Sequence, residues 1–226
     1  MTNFVLVPGM WLGAWAWDEV AEPLRAAGHR VAAVTLGGLA ERAGEDATLE
    51  SHIDDVVAAA GDAPEVVLVA HSYGCFPVRG AVERLGDRVR RVVYVDSGPV
   101  PDGTAQADFG GGKPPRADVP PPSFDPADDP ALFAGLEGRS EWIHEQSTPH
   151  PQATVAAKLR LARPEQPPTD LVISTFTREN VEQMIAAGHP FFAGLDRRDY
   201  RVLELPTGHW PMFSRPAELA ALLAKA

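Results

Sequence analysis

A chain of 226 residues with a single cysteine can bury one substantial core, and it excludes an internal disulfide framework and a thiolate metal cluster. Twenty Lys and Arg stand against thirty-one Asp and Glu, a formal charge of -11, which argues against nucleic acid or an anionic membrane surface as a partner. No basic segment precedes a long apolar run, so neither a signal peptide nor a membrane span is expected, and the cytoplasm is the default location.

Residues 4–7 read as a buried strand entering Pro8-Gly9-Met10-Trp11-Leu12-Gly13, a loop rich in turn formers. From 15 to 27, Trp17, Val20 and Leu24 recur at helical spacing, with Pro23 inside the segment and Gly28 placed to end it. A second strand is expected over 29–36, a loop over 37–48 and a helix over 49–60. Gly61 to Pro64 breaks the chain before the apolar run Val66-Val67-Leu68-Val69-Ala70, too short and too branched for an independent helix. His71-Ser72-Tyr73-Gly74 follows, then a helix over 75–85, whose Pro77 falls in the first turn, where its missing N–H has no helical partner anyway. Residues 89–95 form the next strand, ending at Asp96. Strands apolar throughout, rather than alternating, belong to a parallel sheet covered on both faces.

The composition then shifts. Residues 99–130 contain Gly110-Gly111-Gly112, Pro114-Pro115 and Pro120-Pro121-Pro122, a density that core elements do not tolerate. Short helices are expected at 131–136, 141–146 and 154–161, among Phe133, Leu136, Trp142 and Ile143. Residues 99–167 therefore read as a cap over the sheet, proline-rich in its first half, where a disordered insertion is the alternative. The main pattern resumes with a strand at 170–175, a helix at 179–187, a last strand at 200–205, the loop Thr207-Gly208-His209-Trp210 and a closing helix at 216–224. The expectation is an α/β fold, a mostly parallel sheet of about six strands covered by helices on both faces. Its core is residues 1–98 and 168–226, with the cap at 99–167. No internal repeat is found.

Ser72, Asp96 and His209 all fall at the carboxyl ends of expected parallel strands, the rim where open α/β sheets bind ligands. Ala70 and Gly74 flank Ser72 with the small residues that a sharp strand-to-helix turn requires, a nucleophile elbow with alanine at its first small position. A serine hydroxyl attacks only when a neighbouring base takes its proton; histidine suits that task near neutral pH, and a carboxylate must fix its tautomer. His71, beside Ser72, supports the turn rather than acting as base. Asp96 is the first choice of acid, with Glu179 the alternative and Asp196 a further one. Negative charge on a reacting carbonyl oxygen would rest on backbone N–H groups, with Tyr73 and Met10 the candidate donors. Trp11, Phe76, Trp142 and Trp210 are candidate pocket walls. Cys75 reads as a small buried hydrophobe. His144 and His150 lie in the cap with no clustered carboxylates, so no metal site is expected.

These residues resemble the α/β-hydrolase superfamily, in the small esterase-like branch related to plant hydroxynitrile lyases and methyl esterases. The matching pieces are Phe4-Val5-Leu6-Val7-Pro8-Gly9-Met10-Trp11, Ala70-His71-Ser72-Tyr73-Gly74, Val93-Tyr94-Val95-Asp96, Thr148-Pro149-His150-Pro151 and Gly208-His209. The resemblance implies Ser72 as nucleophile, His209 as general base, and Met10 and Tyr73 as oxyanion amides. Three departures stand out. Pro8-Gly9 replaces the usual His-Gly, Ala70 the first elbow glycine, and the carboxylate expected after the penultimate strand is missing from Ser174-Thr175-Phe176-Thr177-Arg178. An acid at the earlier strand is a known variant of the superfamily, which suits Asp96. Cyanohydrin-cleaving relatives use a lysine near the histidine, and no lysine flanks His209.

The expected activity is hydrolysis of a carboxylic ester or related activated carbonyl of a small, partly apolar substrate through an acyl-enzyme, with no cofactor implied. Lyase, cyclase or C–C bond hydrolase chemistry in the same pocket is one alternative. A non-catalytic small-molecule binding protein on the same scaffold is another. The oligomeric state is open, a homodimer among the options.

Overall fold

Every residue of β3 (Val66–His71) is buried, as a central strand covered on both faces demands. The computed structural model describes residues 1–109, 115–163, 166–195 and 200–226. Around β3 run β1 (Asn3–Val7), β2 (Arg30–Ala33), β4 (Val89–Val95), β5 (Thr169–Ile173) and β6 (Tyr200–Glu204), in the spatial order β2-β1-β3-β4-β5-β6. All the pairings are parallel. The chain fills one side of β1 with β2 and then crosses to the other with β3. The loops leaving β1 and β3 therefore meet at the crevice where the strand order reverses, the place such sheets bind ligands.

Alternation along the strands builds two core layers. Val5, Val7, Leu68 and Ala70 pack with α2 (Leu49–Ala60) and α3 (Cys75–Leu85) on one face. Phe4, Leu6, Val67 and Val69 pack on the other with Trp17, Val20 and Leu24 from α1 (Asp18–Ala26) and its lead-in turn, and with Leu219 and Leu223. The start of α2 is fixed by a capping box between Thr48 and Ser51, worth about 1 kcal/mol. Gly80 of α3 lets Ile53 of α2 seat directly on the helix backbone.

The cap is inserted between β4 and β5. It contains α4 (Ser140–Gln146) and α5 (Gln152–Ala156), and Phe124, Phe133, Leu136 and Ile143 are buried in the second core layer. That part of the cap is packed core rather than loose insertion. Gly110-Gly111-Gly112 and Pro114 lie outside the described residues. The chain closes with α6 (Arg178–Ala186), α7 (Pro211–Ser214) and α8 (Pro216–Leu223). No helix among the described residues is long and apolar enough to cross a membrane.

Four expectations need correction. The second strand stops at Ala33 rather than 36 because the chain turns out of the sheet toward Gly37 and Gly38; the Val34 N–H still reaches Leu6 O. Residues 131–136 are turns, not a helix: the Asp129 carboxylate takes the Ala131 and Leu132 N–H groups, and Gly135 sits at φ +82°. The expected helix at 154–161 is instead α5, begun at Gln152 after Pro151, followed by an extended stretch in which Lys158 bridges to Ala105. Finally, β5 ends at Ile173, because the amides of Ser174 and Thr175 leave the ladder for a side chain described next.

Candidate active site

At the end of β3 the backbone of Ser72 takes φ +50°, a left-handed conformation costly for a non-glycine residue, and a short turn (Ser72–Gly74) leads into α3. The turn is pressed against the end of β1. A Cβ on Gly74 would lie 2.8 Å from the Pro8 carbonyl oxygen and 2.9 Å from that of Val7. The first loop approaches equally closely from its side, since a Cβ on Gly9 would stand 2.7 Å from His71 Nδ1 and 3.0 Å from Ser72 Cβ. Glycine at both positions lets the two backbones meet around Ser72. Met10 follows Gly9, and no acceptor among the described residues takes its N–H. Tyr73 lies in the first turn of the helical segment, where N–H groups have no intrahelical acceptor. Both side chains are buried, so what these residues offer the crevice is main chain.

Asp96 leaves β4 at φ +44°, and its side chain is fully buried. One carboxylate oxygen, Oδ1, accepts the Ser174 N–H at 2.9 Å and the Thr175 N–H at 3.0 Å. The other, Oδ2, accepts from the Thr175 hydroxyl at 2.7 Å and from His209 Nδ1 at 2.6 Å. Burial pushes this carboxyl up, but the bond and charge of His209 and the two amides outweigh it and hold it below the usual carboxylate range. Because Asp96 is an acceptor, the Nδ1 of His209 carries the proton and Nε2 is left with its lone pair.

The His209 loop is held from two sides. From the cap, Leu132 O accepts the His209 N–H at 2.8 Å and Ala134 O accepts the Gly208 N–H at 3.2 Å. A Cβ on Gly208 would come within 2.6 Å of Leu132 O, so only glycine allows that contact. From the elbow, His71 Nε2 donates to the His209 carbonyl at 2.7 Å, and the two rings lie 4.8 Å apart. Burial, and next the nearby His209, push the His71 imidazole down to about 3, so it stays neutral.

Ser72, Asp96 and His209 share one cavity of about 270 Å³, whose other walls are Gln106, Phe109, Leu132, Thr175, Phe176 and Phe191. None of the four large side chains expected as walls lines it. The Trp11 indole donates to Val119 O. Phe76 is buried one ring behind, stacked on Tyr73 and edge-on to Phe109. Trp210 is buried between His209 and Phe133. Trp142 is 43% exposed and packs on Trp15 and Phe213 at a separate surface cleft. Glu179 is exposed in the first turn of α6, where it accepts from Gln183, away from the cavity. Asp196 lies outside the described residues. Among the walls that sequence reasoning missed, Phe176 carried a signal, since it directly follows the penultimate strand at the rim. Cys75 is buried, and His144 reaches the Pro122 carbonyl at the cap surface. Among the described residues no three His, Cys, Asp or Glu are arranged to hold a metal ion.

Comparison with known proteins adds sequence and fold relationships to this geometry. The profile of the alpha/beta hydrolase family matches residues 4–222. A carbendazim-hydrolysing esterase of Nocardioides sp. is 31% identical over 250 residues, spanning 99% of both chains. An esterase of Oryza sativa subsp. japonica is 41% identical over 100 residues, 41% of this chain and 37% of that one. Among solved structures, an extracellular alpha/beta-hydrolase from a Paenibacillus species superposes with a TM-score of 0.77 at 23% identity, covering 100% and 99% of the two chains. A methylesterase from Arabidopsis superposes with a TM-score of 0.74 at 22% identity, covering 100% and 98%.

Proposed function

The chain belongs to the alpha/beta hydrolase family and is a serine-type hydrolase of small carboxylic esters or related carbonyl compounds, and on that premise we propose the residues and the course of its reaction. Ser72 Oγ attacks the substrate carbonyl carbon while His209 Nε2 takes the hydroxyl proton. The negative charge that forms on the former carbonyl oxygen is met by the N–H groups of Met10 and Tyr73. Collapse of the tetrahedral species breaks the bond to the leaving group, which departs with the proton from His209 and leaves an acyl ester on Ser72. Water then attacks that ester with His209 as base, the carboxylic acid leaves, and Ser72 regains its proton. Asp96 keeps His209 in the tautomer that can accept a proton and stabilises the imidazolium between steps.

The observation that carries this reading is the 2.6 Å bond between Asp96 and His209 beside Ser72 in one cavity. The walls of that cavity support a substrate class. Phe109, Leu132, Phe176 and Phe191 are apolar, Gln106 is neutral, and the one acidic group, Asp96, is already committed to hydrogen bonds. Such a site takes an uncharged ester with a compact apolar or aromatic group; a free charge there would be desolvated without a partner.

The test is rapid mixing with short-chain chromogenic esters, recording intact mass after quenching. Wild type gives a burst and an acyl adduct on Ser72, whereas Ser72→Ala and His209→Ala give neither. A folded Ser72→Ala protein that turns over at the wild-type rate would sink the mechanism.

A further inference from the structure

The cap segment 148–151 is not a wall of the cavity. It lies across the two loops that leave β1 and β2. Pro151 abuts Gly38, and the Thr148 hydroxyl accepts the Ala40 N–H at 3.0 Å. The same segment grips Trp11, the residue after Met10, from both sides of its peptide. The Thr148 N–H donates to Trp11 O at 3.0 Å, and the Trp11 N–H donates to His150 Nδ1 at 3.3 Å. The Trp11 indole adds a third tie, to Val119 O at 2.9 Å, and Val119 is itself bridged to His150. Trp11 needs this hold, because it sits at φ +69°, where a bulky residue is strained.

His150 is fully buried and touches the other arm as well. Its ring lies edge-on to that of Tyr73, with centroids 4.4 Å apart. Tyr73 is fixed in turn by His52. The His52 Nε2–H donates to Gly37 O at 2.8 Å, which leaves Nδ1 to accept the Tyr73 hydroxyl at 2.9 Å. A backbone N–H can only donate, so the Nδ1 of His150 is an acceptor. Burial keeps the ring neutral. The second nitrogen, Nε2, has no hydrogen-bond partner among the described residues.

One cap histidine therefore contacts the residue next to Met10 and the side chain of Tyr73, the two proposed oxyanion donors. We infer that His150 is a positioning residue: through the Trp11 amide and the Tyr73 ring it holds both oxyanion N–H groups at the spacing the tetrahedral intermediate requires. The inference rests on the Ser72 acyl-enzyme reading. It makes His150 matter for kcat rather than for substrate binding, because the oxyanion forms only after binding.

The test compares wild type, His150→Phe and His150→Asn on one chromogenic ester, with a trifluoromethyl ketone analogue that forms a tetrahedral adduct with serine. Phenylalanine fills the space but accepts no hydrogen bond; asparagine can place Oδ1 near the position of Nδ1. For H150F we expect kcat to fall about 10- to 100-fold, part of the ~10²–10³ that a whole oxyanion donor supplies. KM should stay within about twofold, and analogue affinity should fall in proportion to kcat/KM. H150N should recover most of both losses. A folded H150F protein with wild-type kcat and analogue affinity overturns the inference, as does an H150N protein no better than H150F. Should H150F fail to fold, His150→Gln, whose acceptor lies one bond further out, is compared with H150N; equal kcat values for the two overturn it. A wild-type protein that forms no Ser72 adduct overturns the underlying reading, whereas a wild-type adduct with an unimpaired H150F overturns this inference alone.

Discussion

Replacing Asp96 by asparagine keeps the shape of the side chain and reverses the polarity of one corner. Two backbone amides, of Ser174 and Thr175, point at the Oδ1 position, so the asparagine carbonyl must sit there. The NH₂ then occupies the Oδ2 position. The Thr175 hydroxyl can rotate to accept from it, but His209 Nδ1–H, 2.6 Å away in the wild type, faces donor to donor. The imidazole escapes by moving its proton to Nε2, the nitrogen proposed to receive the proton of Ser72. The corresponding substitution in a serine protease triad costs about 10⁴ in kcat, or about 5 kcal/mol of transition-state stabilisation. A loss of about 10³- to 10⁴-fold in acylation is therefore expected for Asp96→Asn. Folding should suffer by only about 1–2 kcal/mol, since the amide bonds survive and asparagine accepts a positive φ readily. Single-turnover acylation by rapid mixing, paired with a thermal melt, measures both. A folded D96N protein acylating within about tenfold of wild type would refute the reasoning. Glu179→Gln is the control and should leave the rate unchanged, since Glu179 stands on the surface of α6.

Gly74→Ala drives a methyl group toward the carbonyls of Pro8 and Val7, so denaturant unfolding should show about 1–3 kcal/mol of lost stability, with kcat falling as the Met10 loop is displaced; an unchanged midpoint would count against the contact. Stability should also fall as pH drops below about 6.5, where unfolded histidine begins to bind protons that the buried rings refuse. His71, held down to about 3, alone contributes a slope of about 1.4 kcal/mol per pH unit between those values, and His52 and His150 shift in the same direction. The depressed carboxyl of Asp96 adds its own loss only below about pH 4. Urea midpoints that stay constant from pH 7.5 to 5 would contradict this. Phe176→Ala should widen the cavity and raise kcat/KM for branched or longer acyl groups relative to acetyl; a uniform change across an ester series would remove Phe176 from the wall.

The core was legible because its signals are local. The helix at 49–60 is bounded by the loop before it and the break that begins at Gly61, the helix at 75–85 has its small-residue entry, and β3 its unbroken apolar run. Ser72, Asp96 and His209 could be singled out by one topological rule, that residues ending parallel strands share a rim, and the structure brings these three into one cavity. The cap resisted the same treatment. Its residues 131–136 carry apolar side chains at helical spacing, but Asp129 and Gly135 impose turns, and their apolar groups are buried by packing on core helices rather than by a helix of their own. The cavity walls were missed for a related reason. Size and aromatic character made Trp11, Phe76, Trp142 and Trp210 conspicuous, whereas a wall is chosen by the direction a loop aims its side chain. Gln106 and Phe109 lie next to the glycine run, where no periodicity reports direction.

A triad acid placed at the end of β4, as proposed for Asp96, has a consequence for how this protein can change over time. The proposed nucleophile and acid stand at the ends of the two central, neighbouring strands of the sheet, and the loop after β5 serves the acid with two amides and a single hydroxyl. That loop is released from carrying a carboxylate. Phe176, together with Phe109 of the cap and Phe191 before β6, can drift toward a new ester without disturbing the proposed proton relay. Divergence in substrate choice and constancy of chemistry are thereby assigned to different stretches of chain.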